Sequence, residues 1–121
     1  LEFRRVLFRS YPSLKTDLIK WHEKYGKPVI VTEYGADTIA GLHKLPEVIF
    51  SEEYQKRCIE ENNKAMDECD FVIGEHIWAF ADFMTAFGLK RVDGNKKGIF
   101  TRERQPKTAA FAIRERWRKM L

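Results

Sequence analysis

Apolar positions recur along the chain at two periods. Leu14, Leu18, Trp21 and Tyr25 fall at helical spacing with lysines between them, which predicts an amphipathic helix over residues 14–25. Gly26 is placed to stop that helix, and Pro28 keeps it from resuming. The run Pro28-Val29-Ile30-Val31-Thr32-Glu33-Tyr34-Gly35 then reads as a parallel strand buried on both faces, because its β-branched residues are unbroken. Residues 36–50, with Gly41 and Pro46, read as an irregular loop. Ser51 is a candidate N-cap, followed by Glu52 and Glu53 in a favourable first turn, for a helix running to about Cys69. Residues 71–80 give a second buried strand. Residues 81–105, with Gly88, Gly94 and Gly98, form a long connection. Pro106 fits the first turn of a last helix, whose apolar stripe is Ala109, Ala110, Ile113 and Trp117.

The order helix–strand–helix–strand–helix is that of a βα architecture. Two strands cannot close a sheet or hide both of its faces. The pattern therefore predicts an α/β chain that is the C-terminal fragment of a (β/α)8 TIM barrel, with the last two strands and their helices. Such a piece is incomplete alone, and it is expected to fold poorly by itself because edges and apolar faces stay exposed.

Residues 1–10 change the picture in another way. They match, codon by codon, the translation of a common short-read sequencing adapter. They are expected to carry no selected fold or function, with residues 11–121 forming the barrel segment. The whole chain of 121 residues carries a net charge of +4. Removing Arg4, Arg5, Arg9 and Glu2 lowers that by two, well short of a nucleic-acid-binding tail. No run approaches the roughly 18 apolar residues that span a bilayer. Neither nucleic acid nor a membrane is expected as a partner.

Cys58 and Cys69 read as two positions on one helix, about 16 Å apart, so they should not pair. Free thiols fit a reducing, cytoplasmic setting without fixing the compartment. His22, His43 and His76 lack metal-ligand spacing, so no metal and no cofactor is expected.

In a barrel, chemistry gathers at the C-terminal ends of strands. Glu33 sits at such an end, as a nucleophile, base or metal ligand, or as a structural glutamate in an ion pair. Trp78, near the end of the second strand, is a core residue or a stacking platform for a sugar. Glu75, His76 and Asp82 read as structural. The loop Arg91-Val92-Asp93-Gly94-Asn95-Lys96-Lys97-Gly98 is a solvated basic turn or an anion site. Arg offers a fork of donors, Lys a point charge and Asn a neutral donor for a carboxylate or phosphate.

Five segments occur in order: Val31-Thr32-Glu33-Tyr34-Gly35, Asp37-Thr38-Ile39-Ala40-Gly41, Glu52-Glu53-Tyr54-Gln55-Lys56, Trp78-Ala79-Phe80-Ala81-Asp82-Phe83, and Gly94-Asn95-Lys96-Lys97-Gly98-Ile99-Phe100-Thr101-Arg102. Together they resemble the C-terminal part of the β-glucuronidases of glycoside hydrolase family 2, over about residues 17–121. The resemblance implies that Glu33 is the catalytic nucleophile after the seventh strand. It implies that Trp78 is the active-site tryptophan after the eighth. Asn95 and Lys97 match the pair that binds the sugar carboxylate, and Arg91 an arginine beside it. The implied substrate is a small-molecule glucuronide, and the implied parent is a homo-oligomer. Ala79 departs from the pattern, where familiar members often have Asn. The family's acid/base glutamate follows an Asn, and this chain contains no Asn-Glu dipeptide. The chain alone is therefore expected to be inactive. Two other readings compete. One is a different family 2 glycosidase, a galacturonidase or β-galactosidase. The other is a small basic binding module.

Overall fold

The computed structural model describes residues 10–89 and 91–120. The adapter reading of residues 1–10 falls, except for Ser10, outside the described residues, as does Lys90.

Helix α1 spans Ser10–Tyr25 and strand β1 spans Val29–Tyr34. Helix α2 spans Glu52–Asp67, strand β2 Val72–Ile77, and helix α3 Thr108–Met120. The alternation is the expected one, and β1 pairs with β2 in parallel. Helix α1 begins one turn earlier than the apolar pattern indicates. Pro12 is compatible with that first turn, where its missing N–H has no intrahelical role. Its end is as expected: Gly26, at a positive φ of 59°, donates its N–H to His22 O at 2.7 Å.

Ser51 caps α2, its hydroxyl accepting from the Tyr54 N–H at 3.2 Å. That helix ends before Cys69, so the two cysteines do not share a helix. Cys69 lies just past the cap at Glu68, and both thiols are free. Pro106 does not enter α3. It forms a bridge with Phe100, and the helix starts two residues later, where the backbone is released from that bridge. The second strand is shorter than residues 71–80: the Trp78 N–H still reaches β1 at Tyr34 O, but from Ala79 on the backbone bonds to the connection that follows instead.

The helices cover one face of the two-stranded sheet. Leu18 of α1, Ile59 and Met66 of α2, and Ala109 and Ile113 of α3 are buried there, with Val29, Val31 and Val72 packed against them. Full burial of Ile59 and Ile113 is worth roughly 1.5–3 kcal/mol each. Trp117 belongs less to this core than its spacing implies, being exposed near the end of α3. The other face of the sheet is open. Ile30 is 51% exposed and Ile73 66%. Burial of the strands on both faces, expected from their sequence, is therefore not met by the described residues. All three helices lie on one side.

Candidate functional site

The C-terminal ends of β1 and β2 and the chain that follows each are stitched together mainly through backbone. Trp78 donates its N–H to Tyr34 O at 2.9 Å, which ties the residue after Glu33 to the end of β2. Gly35 is pressed against the same residue: a Cβ there would lie 2.3 Å from the Trp78 carbonyl oxygen. Ala79 donates to Lys97 O and accepts from the Ile99 N–H, both at 3.0 Å. Phe83 and Asn95 exchange hydrogen bonds at 3.2 and 2.9 Å. Thr38, four residues after β1, donates to Lys96 O at 2.9 Å, and the Lys96 N–H reaches the Asp37 carboxylate at 3.1 Å. The connection read as a long loop is thus held at residues 81–83 and 95–100. The Trp78–Ala79 peptide bond is cis.

These links bring the main chain around Glu33, Trp78, Asn95 and Lys97 to one end of the sheet. Glu33 is exposed, and among the described residues its carboxylate has no hydrogen-bond or ion-pair partner. Trp78 is 39% exposed and meets the Phe83 ring edge-on, centroids 5.9 Å apart. Asn95 is buried, and its side-chain oxygen accepts from the Lys97 N–H at 3.0 Å. That bond fixes the amide and leaves its NH2 as the remaining donor. The Lys97 ammonium has no ion-pair partner among the described residues. Its charge is felt at Cys58, where burial pushes the thiol pKa up and the Asn62 hydrogen bond and Lys97 oppose the rise. Arg91 is linked to this group through Asp37, the carboxylate that also takes the Lys96 N–H. It is exposed and pairs with Asp37 at 3.5 Å. Lys96, between the two proposed carboxylate binders, pairs with Asp93 at 3.1 Å. The loop is therefore more than a solvated basic turn, since two of its charges are answered internally and Lys97 is not.

Glu75, His76 and Asp82 separate clearly. His76 is exposed on β2. Glu75 turns toward the helices, where Arg116 grips it with bonds of 2.9 and 2.8 Å and also holds Asp67 at 2.8 and 2.7 Å. The Tyr34 hydroxyl donates to Glu75 at 3.1 Å, beside the Asn63 amide. Burial raises the Tyr34 pKa well above its ordinary value, so the hydroxyl stays a neutral donor. Asp82 is buried and accepts from the Gly98 N–H at 3.0 Å and from the Lys107 ammonium at 2.9 Å.

Three further residues shape the site, and none of them was read from the sequence as part of it. Gln55 is fully buried and donates to Ala36 O at 3.1 Å and Gly98 O at 3.0 Å, linking both loops to α2. Glu52 receives the N–H groups of Gly41 and Thr108 and the Thr108 hydroxyl. Burial pushes its carboxyl up, but those hydrogen bonds outweigh burial and hold it below the usual range. Lys107 reaches three oxygens from a buried position. The signal for Gln55 is its place on the buried stripe of α2, one turn from Ser51 and from Ile59. The signal for Lys107 is a cation at a helix N-terminus, where the dipole disfavours it.

The sequence matches the family described as "Glycosyl hydrolases family 2, TIM barrel domain" over residues 4–121. It is 57% identical over 104 residues to a β-glucuronidase of Paenibacillus borealis, covering 86% of this chain and 17% of that one. The fold superposes on the solved β-glucuronidase of an uncultured Clostridium sp. with a TM-score of 0.91 and 97% identity, covering 93% of this chain and 20% of that one. It also matches the Ruminococcus gnavus β-glucuronidase in complex with uronic isofagomine, with a TM-score of 0.85 and 49% identity over 88% of this chain and 18% of that one. The chain thus spans a fifth or less of each of these relatives, and its two parallel strands with their helices are a fragment of a barrel. It belongs to glycosyl hydrolase family 2 and forms part of that family's TIM barrel domain.

Proposed function

We propose that this chain is the part of a retaining β-glucuronidase that supplies the nucleophile and the carboxylate-binding loop. Glu33 attacks the anomeric carbon and forms a covalent glucuronyl-enzyme, which water then hydrolyses. Asn95 and Lys97 receive the carboxylate of the sugar, Trp78 supplies an aromatic wall, and Arg91 adds positive charge near the same end of the sheet. The observation that carries this reading is the stitching of the Glu33 strand end to the Asn95–Lys97 loop through Trp78, Ala79 and Thr38. These links join the main chain of the two segments, on which, among the described residues, the Glu33 carboxylate and the Lys97 ammonium have no ion-pair partner. A neutral sugar would leave that ammonium uncompensated, which is the basis for selecting a uronic acid.

Retention requires a second carboxyl about 5–5.5 Å from the nucleophile, to protonate the leaving oxygen and later to activate water. Three carboxylates on the connections that follow the strands are committed elsewhere: Asp82 to Lys107, Asp37 to Arg91 and the Lys96 N–H, and Asp93 to Lys96. The chain alone is therefore inactive, and the missing acid comes from the rest of the barrel.

The test places residues 11–121 in the full-length Clostridium enzyme, in place of the matching segment. The chimera should hydrolyse a chromogenic β-D-glucuronide far faster than a galactoside and release the β-anomer first. Glu33→Gln should lower kcat by more than about 10³-fold. A fluorinated glucuronide that traps the intermediate should label Glu33 in a peptide map. Labelling of another residue, or survival of turnover in Glu33→Gln, would overturn the assignment. Faster turnover of a galacturonide would keep the chemistry and change the sugar.

A further inference from the structure

Lys107 is fully buried, at 1% exposure, and stands immediately before α3. Its ammonium donates to Thr38 O at 2.8 Å, Asp82 Oδ1 at 2.9 Å and Lys96 O at 3.1 Å. An ammonium has three donors, and here all three are used. The three acceptors lie in different parts of the chain. Thr38 follows β1, Asp82 follows β2, and Lys96 sits between Asn95 and Lys97. The same Asp82 oxygen also takes the Gly98 N–H at 3.0 Å. The backbone is packed closely there: a Cβ on Gly98 would lie 2.2 Å from Asp82 N. One buried ion pair thus clamps both sides of the Asn95–Lys97 segment.

A buried ion pair is a weak source of net stability, because desolvation of two charges offsets much of their attraction. Its geometry is the more informative property. We infer that Lys107 is a positioning residue for carboxylate recognition: with Asp82 it fixes the main chain of Asn95–Lys97 against the loop that follows Glu33, and so sets where the Asn95 amide and the Lys97 ammonium meet a uronic acid. The inference rests on the proposed uronic-acid reading of the site. Lys107 does not touch the substrate. It acts through the carbonyl of Lys96 and through Asp82. Burial pushes its pKa down, while the hydrogen bond and charge of Asp82 oppose that shift.

The test compares two inhibitors that share the nitrogen ring and differ in the carboxylate, uronic isofagomine and isofagomine. Inhibition constants are measured on the unsubstituted chimera, on Lys107→Met, and on the double variant Lys107→Met with Asp82→Asn. The double variant removes both buried charges, so its folding is not limited by one left uncompensated. Uronic isofagomine should weaken by roughly tenfold or more in both variants, as expected for binding groups displaced by a fraction of an ångström. Isofagomine should change far less. KM for the glucuronide should rise by a larger factor than kcat falls. Equal weakening of both inhibitors would assign Lys107 a purely structural role and overturn the inference. Unaltered binding of uronic isofagomine by a folded double variant would overturn it as well. If the unsubstituted chimera binds the two inhibitors equally, the uronic-acid reading itself has failed and the inference falls with it. That control distinguishes the two failures.

Discussion

The approach of Gly35 to Trp78 gives a direct test of how the site is held. Replacing Gly35 by Ala places a Cβ 2.3 Å from the Trp78 carbonyl oxygen and 3.3 Å from its carbonyl carbon. Both atoms are backbone, so no rotamer change can relieve the contact. Restoring ordinary van der Waals separation requires a movement of about 1 Å between the end of β1 and the start of the Trp78 connection. That movement separates the strand carrying Glu33 from the segment carrying Trp78. It also acts on the 2.9 Å hydrogen bond from Trp78 N–H to Tyr34 O. A displacement of about 1 Å at a reacting centre is worth roughly 100-fold in rate, so kcat/KM of the chimera should fall by about that factor. Gly35 also has a positive φ of 152°, which needs its own control. Gly41 provides one. Its φ is 80°, and nothing lies within 4 Å of a Cβ there. Gly41→Ala should cost about 1–2 kcal/mol of stability from backbone strain alone and leave kcat/KM nearly unchanged. The assay is steady-state hydrolysis of a chromogenic glucuronide, with a thermal melt on each variant. If Gly35→Ala retains kcat/KM within about threefold of the parent, or Gly41→Ala loses as much, close packing at Gly35 does not set the site.

Three further outcomes follow from the same geometry, each measured in the chimera. Lys97→Met should lower kcat/KM for a glucuronide by about 2 kcal/mol, roughly 30-fold, by removing a hydrogen bond to a charged group; equal losses on a galactoside would speak against carboxylate recognition. Ser51→Ala removes the cap of α2, whose hydroxyl accepts from Tyr54 N–H and donates to Val48 O at 2.7 Å, and should cost about 1 kcal/mol in urea-midpoint measurements; an unchanged midpoint would contradict that. The Arg116 hydrogen bonds hold the Asp67 carboxyl below its usual 3.8, so its contribution to stability is present above that value and lost as pH falls through the depressed one. The melting-point gap between the parent and Asp67→Asn should therefore be open at neutral pH and close in acid below about pH 4; a gap that stays constant would remove the ion pair from the account.

Much of the architecture was legible because it depends on local pattern. The stripe Leu14, Leu18, Trp21 and Tyr25 marks α1, the β-branched run from Val29 marks β1, and Ser51 with Glu52 and Glu53 marks the start of α2. Boundaries failed where a tertiary contact took over. Pro106 has the chemistry of a first helical residue, yet a bridge to Phe100 holds it outside α3. The site was legible in its types of residue and not in its supports. Gln55, Glu52 and Lys107 work by meeting main-chain groups from distant segments, and no spacing rule connects Lys107 to Thr38 or Lys96.

Glu33 itself shows how far a pattern reaches. Strict alternation from Val29 and Val31 would put Glu33 on the helix side of the sheet, with its carboxylate facing the core. The register of β1 against β2 instead slips between Val31 and Tyr34. Thr32 and Glu33 are consecutively exposed, and Tyr34 takes the buried place. What holds Tyr34 there is the network beneath the sheet: its hydroxyl on Glu75, Glu75 on Arg116, and Arg116 on Asp67 at the end of α2. Which face of the sheet a residue takes is thus decided by the anchoring of its neighbour. The proposed nucleophile is turned outward because a tyrosine one position later is tied to a glutamate on the next strand and, through it, to an arginine on the last helix.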